Sequence, residues 1–405
     1  MTTALRCSRG LAAAVAALAA LAGLIYLAAW LSLDSSGIAR SIIWMDADTD
    51  DYRRFPLRTV ASGEAHFTFA KAPGYPDGLP ANTARGHDDL ASTLEESGTT
   101  AFIVIMNDRL VYERYFNGHG QDSVQTSFSV AKSFNSALIG AAIADRLIES
   151  VEDPVTKYIP ELLDRDERFR AITIRHLLSM SSGLRYEETG TPWGDDTQTY
   201  YNPDLRRLAV EETEIVEAPG RRFHYNNFNP ILIGMILERA TGMSVSDYLS
   251  RKIWQPIGAE VAATWSLDSE ATGFEKMESG INARAIDFAK LGSLYLHGGR
   301  RQGKQVLPAA WVTESTRRSD QTDTSIAYQY GWWTFNDEVL GDYFAAIGNK
   351  GQYIFVFPSG RLVIVRHGTG RGNIEWLRFI PDIARQLRVD EMGLLKSLNM
   401  QNPFP

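Results

Sequence analysis

Cysteine is almost absent from this chain. A single Cys7 in 405 residues excludes structural disulfides and thiolate metal clusters, and it precedes the part expected to fold. The seven histidines, at 66, 87, 119, 176, 224, 297 and 367, are scattered and no His-Glu-x-x-His run occurs, so a zinc hydrolase has no ligand set. No Gly-x-Ser-x-Gly elbow occurs either, which removes the nucleophile site of an α/β-hydrolase. A basic tract that could follow a phosphate backbone is also missing. Lys plus Arg is 41 and Asp plus Glu is 49, the formal charge is −8, and nucleic acid is a poor partner. No internal repeat of about 20 to 50 residues is evident. What is present is the composition of a packed globular protein: 44% hydrophobic and 22% charged, with 9 Trp, 16 Tyr and 18 Phe, long enough for two or three domains.

The one long apolar run, Leu11 to Leu33, carries no charge and follows Arg6 and Arg9. Its length of about 23 residues suffices to span a bilayer. A cleavable signal has an apolar region of about 7 to 15 residues closed by a small-residue site, whereas Asp34, Ser35 and Ser36 follow here. Residues 1–36 are therefore read as an uncleaved membrane anchor, with a cleaved signal as the alternative. Either way Arg6 and Arg9 keep the N-terminus in the cytoplasm and the remainder is exported, to the periplasmic or extracytoplasmic side.

Residues 37–95 read as a lead-in, a surface excursion with a Pro/Gly loop at Pro73, Gly74, Pro76, Gly78 and Pro80. Its acidic series Asp46, Asp48, Asp50, Asp51 imitates a calcium loop. Asp51 stands where glycine is needed and Leu57 where the bidentate Glu belongs, so a solvated loop is expected. From Ala101 to Phe116 two apolar strands flank Asn107-Asp108-Arg109, and Gln352–Phe357 with Arg361–Val365 forms a second hairpin ahead of a helical pattern from Ile374 to Leu387. Between the hairpins helical patterns dominate, near Ser133–Leu147, Ile174–Leu178, Pro230–Ala240, Val245–Lys252 and Ala285–Leu296. The order predicts an α+β fold over 96–395: an antiparallel sheet from about 96–128 and 280–395, flanked by helices, with a mostly helical part inserted over 129–279.

Chemistry concentrates at Ser129-Val-Ala-Lys132, opening an apolar helical run. Residues i and i+3 share a helix face, so the two side chains can touch. A serine hydroxyl is a weak nucleophile until a neighbour takes its proton, and a lysine can do so only when neutral, a state favoured by burial and by the positive end of a helix dipole. Free N–H groups at such a helix start can also hold an oxyanion. Alone, Ser-x-x-Lys is weak, since a capping serine with an exposed lysine gives the same pattern. The second constellation is Tyr225-Asn226-Asn227, on a loop between Pro219-Gly220 and an apolar helix from Pro230. Tyr225 can exchange a proton with Ser129 or a leaving group, while an Asn227 amide can orient Lys132 and bind a substrate carbonyl.

With both constellations in one chain, the sequence resembles the serine β-lactamase and penicillin-recognising superfamily, in its branch of class C β-lactamases, esterases and 6-aminohexanoate-dimer hydrolases. Ser129-x-x-Lys132 looks like the nucleophile motif and Tyr225-x-Asn227 like the Tyr version of the second motif. The segments Leu147–Asp153 into Tyr158-Ile-Pro160, Ile174–Leu184 and Gly280–Leu291 match in family order. The resemblance covers roughly residues 95 to 390. It implies an antiparallel sheet flanked by helices, a mostly helical second domain and an active site between them, with no metal or organic cofactor. It also makes His176 a structural helix residue.

The departures bear on substrate. The third family motif carries Lys or His before a small residue and Gly, whereas the comparable segment here is Tyr343-Phe-Ala345-Ala346-Ile347-Gly348-Asn-Lys350-Gly351. Backbone N–H groups near Ala346, Ile347 or Gly348 can still complete an oxyanion hole. A substrate carboxylate loses its usual cation unless Lys350 bends inward. The expected activity is acyl transfer to water through Ser129, Lys132 and Tyr225 on small neutral esters or amides, with Asn227 orienting and Tyr200 or Tyr201 lining the pocket. Trp332-Trp333 are further pocket or core aromatics, and His224 is a wall residue or a local backbone binder. The alternatives are a β-lactamase or D-alanyl-D-alanine carboxypeptidase-like cell-wall enzyme, and a non-catalytic envelope binding module. Retention of Ser129, Lys132, Tyr225 and Asn227 together argues against the last.

Overall fold

The computed structural model describes residues 2–73, 79, 89–318 and 326–400. Gly74, Pro76, Gly78 and Pro80 of the expected loop, and His87, lie outside them. The centre is an eight-stranded sheet in the order Ile326–Gln329, Trp332–Asp337, Gly341–Gly348, Gln352–Phe357, Leu362–Gly368, Thr99–Met106, Arg109–Tyr115 and Ala70–Lys71. All pairings are antiparallel except the last, a two-residue parallel contact. Both chain ends thus supply the sheet, as the two hairpins predict.

Alternation along the strands produces two cores. Ile103, Ile105, Ile354, Val356, Val363 and Val365 face one side, where the helix Ala285–Leu296 lies with Phe288, Leu291 and Leu294 buried. Phe102, Val104, Tyr353, Phe355 and Ile364 face the other, covered by Leu90 and Leu94 of the helix Leu90–Glu96 and by Trp376, Ile380, Ile383 and Leu387 of the helix Trp376–Met400. A strand with one buried face cannot slip by one residue without exposing that set, so the register is specified by the hydrophobic pattern.

The inserted part is helical. Ala131–Ala144, with every residue from Ala131 to Ala142 buried, packs against Phe228–Thr241. A second, four-stranded antiparallel sheet joins Leu57–Val60, Ala263–Ser266, Ile281–Ala283 and Gln125–Thr126.

That small sheet departs from the expected surface excursion, because part of the lead-in is built into the body. Leu57–Val60 is one of its strands, and the helix Gly37–Trp44 lies on the helix Asp195–Tyr201. Asp51, expected in a solvated loop, is 1% exposed: it accepts the Tyr200 hydroxyl at 2.9 Å and pairs with Arg54 at 2.9 Å. Ahead of this lies the helix Thr2–Leu31, whose stretch Ala13–Leu31 is long and apolar enough to cross a membrane.

Candidate active site

The 3₁₀ turn Phe128–Val130 runs straight into the helix Ala131–Ala144, so Ser129 stands just ahead of the helix and not within it. Phe128 has φ +46°, a left-handed conformation that a bulky side chain adopts only when the surroundings impose it. The surroundings are tight: a Cβ on Gly348 would lie 2.5 Å from the Ser127 carbonyl oxygen, so only glycine lets the strand end run alongside this turn. Lys132, one turn along, is 3% exposed and its Nζ donates to Ser129 Oγ at 2.8 Å and to the Glu278 carbonyl at 2.9 Å.

Around this pair opens a cavity of about 690 Å³, lined among others by Ser129, Tyr225, Asn227, Tyr200, Tyr201, Ile347 and Gly348. The structure thus brings together eight of the nine residues singled out from sequence. Ala346 is the exception: its side chain is buried in the sheet, leaving only its backbone for the role expected of it. The register explains why that backbone is available. Pairing between Trp332–Asp337 and Gly341–Gly348 ends at Trp333 opposite Ala345, so residues 346–348 run past their neighbour strand toward the Ser127 and Phe128 turn.

Tyr225 stacks on Trp333 with ring centroids 5.9 Å apart, meets Tyr328 edge-on at 6.0 Å, and has Lys132 Nζ 5.0 Å from its ring centroid. Asn227 donates to the Tyr186 hydroxyl at 2.7 Å, and its own carbonyl oxygen is buried with no partner among the described residues. Tyr186 is held well above the ordinary tyrosine range by burial, which keeps it a phenol. Trp333 lines the chamber while its neighbour Trp332 is core. His176 accepts the Thr173 N–H at 3.1 Å as a helix cap, and His224 binds the Met180 carbonyl through its backbone N–H at 2.7 Å.

Several wall residues carried no signal that could be read in advance. Glu278, 2% exposed, lines the chamber and grips Lys132 through its carbonyl. Its carboxylate takes Lys276 Nζ at 3.0 Å and the Ser279 hydroxyl at 2.6 Å on one oxygen, and the other is buried without a partner among the described residues. Burial pushes the Lys276 ammonium below its ordinary value and Glu278 opposes that shift. Tyr200 lies over Lys276 Nζ at 4.0 Å and is pushed up, first by burial and then by Asp51. Met45, Asp46 and Ala47 supply wall from the lead-in, with Lys350 turned to Asp46 in an ion pair. Arg371 is the cation that lines the chamber with no carboxylate partner among the described residues.

The Beta-lactamase family profile matches residues 87–377, and the chain belongs to that family, as a serine hydrolase working through an acyl-enzyme on small ester or amide substrates. Among its relatives is the 6-aminohexanoate-dimer hydrolase of Paenarthrobacter ureafaciens, 28% identical over 298 residues, which are 69% of this chain and 74% of that one. Protein flp of Staphylococcus aureus strain N315 is 24% identical over 277 residues and is matched over 53% of its own length. A solved structure from Bacillus anthracis, provisionally named a 6-aminohexanoate-dimer hydrolase, superposes with a TM-score of 0.74 at 25% identity, covering 90% of this chain and 97% of that one.

Proposed function

We propose that Ser129 is the nucleophile of an exported, membrane-anchored esterase and amidase. The observation that carries this reading is the 2.8 Å contact between Ser129 Oγ and a buried Lys132 Nζ at the floor of the chamber. In the acylation step Oγ attacks the carbonyl carbon while its proton passes to Lys132 or Tyr225. The tetrahedral oxyanion sits against the Ser129 N–H and a backbone N–H of the 346–348 segment. Collapse expels the alcohol or amine, which takes the proton back from the same pair, and water then attacks the acyl-enzyme by the reverse route. Asn227 offers its unpartnered carbonyl oxygen and the adjacent chamber wall to the substrate.

Esters are favoured over amides because an alkoxide or phenolate leaves with little help, whereas an amine needs a well-placed acid. The branch is that of class C-related hydrolases with a glycine-bearing third motif, and the anchor is the Ala13–Leu31 stretch behind Arg6 and Arg9. The test compares fluorophosphonate labelling and p-nitrophenyl butyrate turnover of the wild type with those of Ser129→Ala. Loss of both, with an unchanged melting temperature, is expected. Turnover retained by a folded Ser129→Ala protein would falsify the assignment.

A further inference from the structure

The apolar helix ends at Leu31 and the chamber wall begins at Ser41. The stretch between them is ordered. Ser32 N–H bonds the Ala29 carbonyl at 3.0 Å, Ser35 N–H the Ser32 carbonyl at 3.1 Å, and the Ser36 hydroxyl caps the helix Gly37–Trp44 through Ala39 N–H at 3.2 Å. Arg40, 4% exposed, donates from Nε to the Leu33 carbonyl at 2.8 Å and from Nη1 to the carbonyls of Tyr201 at 3.2 Å and Asp268 at 2.5 Å. One buried guanidinium thus ties the end of the apolar helix to the helix bearing the chamber tyrosines. Gly37 sits so close that a Cβ there would lie 2.9 Å from Gln198 Oε1 and 3.0 Å from Asn202 Cα. Even fully extended where it is not helical, the chain from Leu31 to Ser41 spans at most about 26 Å. Whatever holds the apolar helix therefore sets the position and orientation of the chamber.

Exposed apolar side chains stand among the acidic residues beside this junction. Met45 is 72% exposed, Ile38 42% and Trp193 71%. Trp193 follows Pro192, a chamber-lining residue whose carbonyl accepts Gln198 Nε2 at 2.6 Å, which puts it on the patch that Gln198 shares with Gly37. Exposed apolar side chains scattered singly mean little. Three on or beside the segments that line the chamber, close in sequence or contact to a helix long and apolar enough to cross a membrane and including a tryptophan, fit the headgroup layer of a bilayer.

We infer that the chamber opens onto the surface of the membrane that holds the anchor, and that the substrates are ester- or amide-bearing amphiphiles dissolved in that leaflet. This rests on the anchoring proposed above. The experiment uses the full chain in phosphatidylcholine vesicles, zwitterionic because the rim also carries Glu188 and Asp196. With Cys7→Ser in place, an environment-sensitive fluorophore is attached at Trp193→Cys or at Gln302→Cys. Gln302 is exposed in a separate pocket with Ala144 and Asp145, beyond the far end of the Ala131–Ala144 helix, which is about 21 Å long. Quenching by a headgroup nitroxide lipid is expected to be at least threefold stronger at position 193. In parallel, Trp193→Asp should lower turnover of vesicle-dissolved p-nitrophenyl palmitate at least tenfold, with p-nitrophenyl butyrate in water within twofold of wild type. Equal quenching at the two positions in membrane-bound protein, or a parallel fall on both esters, overturns the orientation alone. Recovery of a soluble product beginning after Leu33 overturns the anchoring and the inference together.

Discussion

Replacing Lys132 by methionine isolates its chemistry from its packing. Methionine keeps an unbranched stem of similar volume in a helix buried from Ala131 to Ala142, so the body should hold together. Two hydrogen bonds are lost, to Ser129 Oγ at 2.8 Å and to the Glu278 carbonyl at 2.9 Å. Leaving that carbonyl unpaired costs about 1–3 kcal/mol. The kinetic effect is larger. Loss of a positioned base is worth about 10²- to 10⁴-fold, which at about 1.36 kcal/mol per decade adds roughly 3–5 kcal/mol to the acylation barrier. The assay is the pre-steady-state release of p-nitrophenolate from p-nitrophenyl butyrate, with thermal unfolding in parallel. Lys132→Ala adds a second arm, since the space it leaves adjoins the chamber and small amines such as methylamine should restore part of the burst rate. A burst rate within threefold of wild type for a folded Lys132→Met protein, or no amine dependence in Lys132→Ala, refutes the role given to Lys132.

The missing cation of the third motif leads us to expect nitrocefin to be turned over with a kcat/KM well below that of p-nitrophenyl butyrate, and Arg371→Ala to depress the nitrocefin value further while sparing the ester. A nitrocefin value at or above the ester value would show that Arg371 or Lys350 serves in full as the carboxylate site. Gly348→Ala puts a methyl group 2.5 Å from the Ser127 carbonyl, so kcat should drop at least tenfold because the Ser129 turn must move; unchanged kinetics would mean that the strand end yields instead. Asp337, bonded to Arg385, is held at about 2, below its ordinary 3.8. A depressed carboxylate stabilises the fold above the unfolded-state value and loses that contribution as pH falls through the folded one. Asp337→Asn should thus lower the melting temperature at pH 7, with the gap closing between about pH 4 and pH 2. A gap independent of pH over that window would rule out the charge as its origin.

The parts of this protein that were legible in the sequence are those whose signal is local. The strands Thr99–Met106 and Gln352–Phe357 declare themselves by apolar runs bounded by turns, and Ser129 with Lys132 by a three-residue spacing that puts both on one side of a helical turn. What could not be read depends on partners distant in the chain. The strands of the small sheet are two to four residues long, below the length at which alternation is visible, and come from four separated segments. Asp51 belongs to an acidic run that looks solvated until Tyr200, 149 residues away, arrives at its carboxylate. Glu278 acts on Lys132 through a main-chain carbonyl, a group every residue possesses and no composition reveals.

The way the large sheet draws on both chain ends also sets a timetable for biogenesis. Thr99–Met106 has no antiparallel neighbour on one side until Leu362–Gly368 has been made, so the central pairing closes a loop of more than 250 residues. Such closure is slow and comes late. During synthesis the Ser129 turn emerges long before the strand end that must lie against it, Gly341–Gly348, and before its sheet neighbour Gln352–Phe357. A nascent chain halted at residue 340 already holds Ser129, Lys132, Tyr225 and Asn227, yet it has no wall on which to set the Phe128 backbone in its left-handed form. The Ser129 turn therefore gains the wall that sets its geometry only once Gly341–Gly348 has been made.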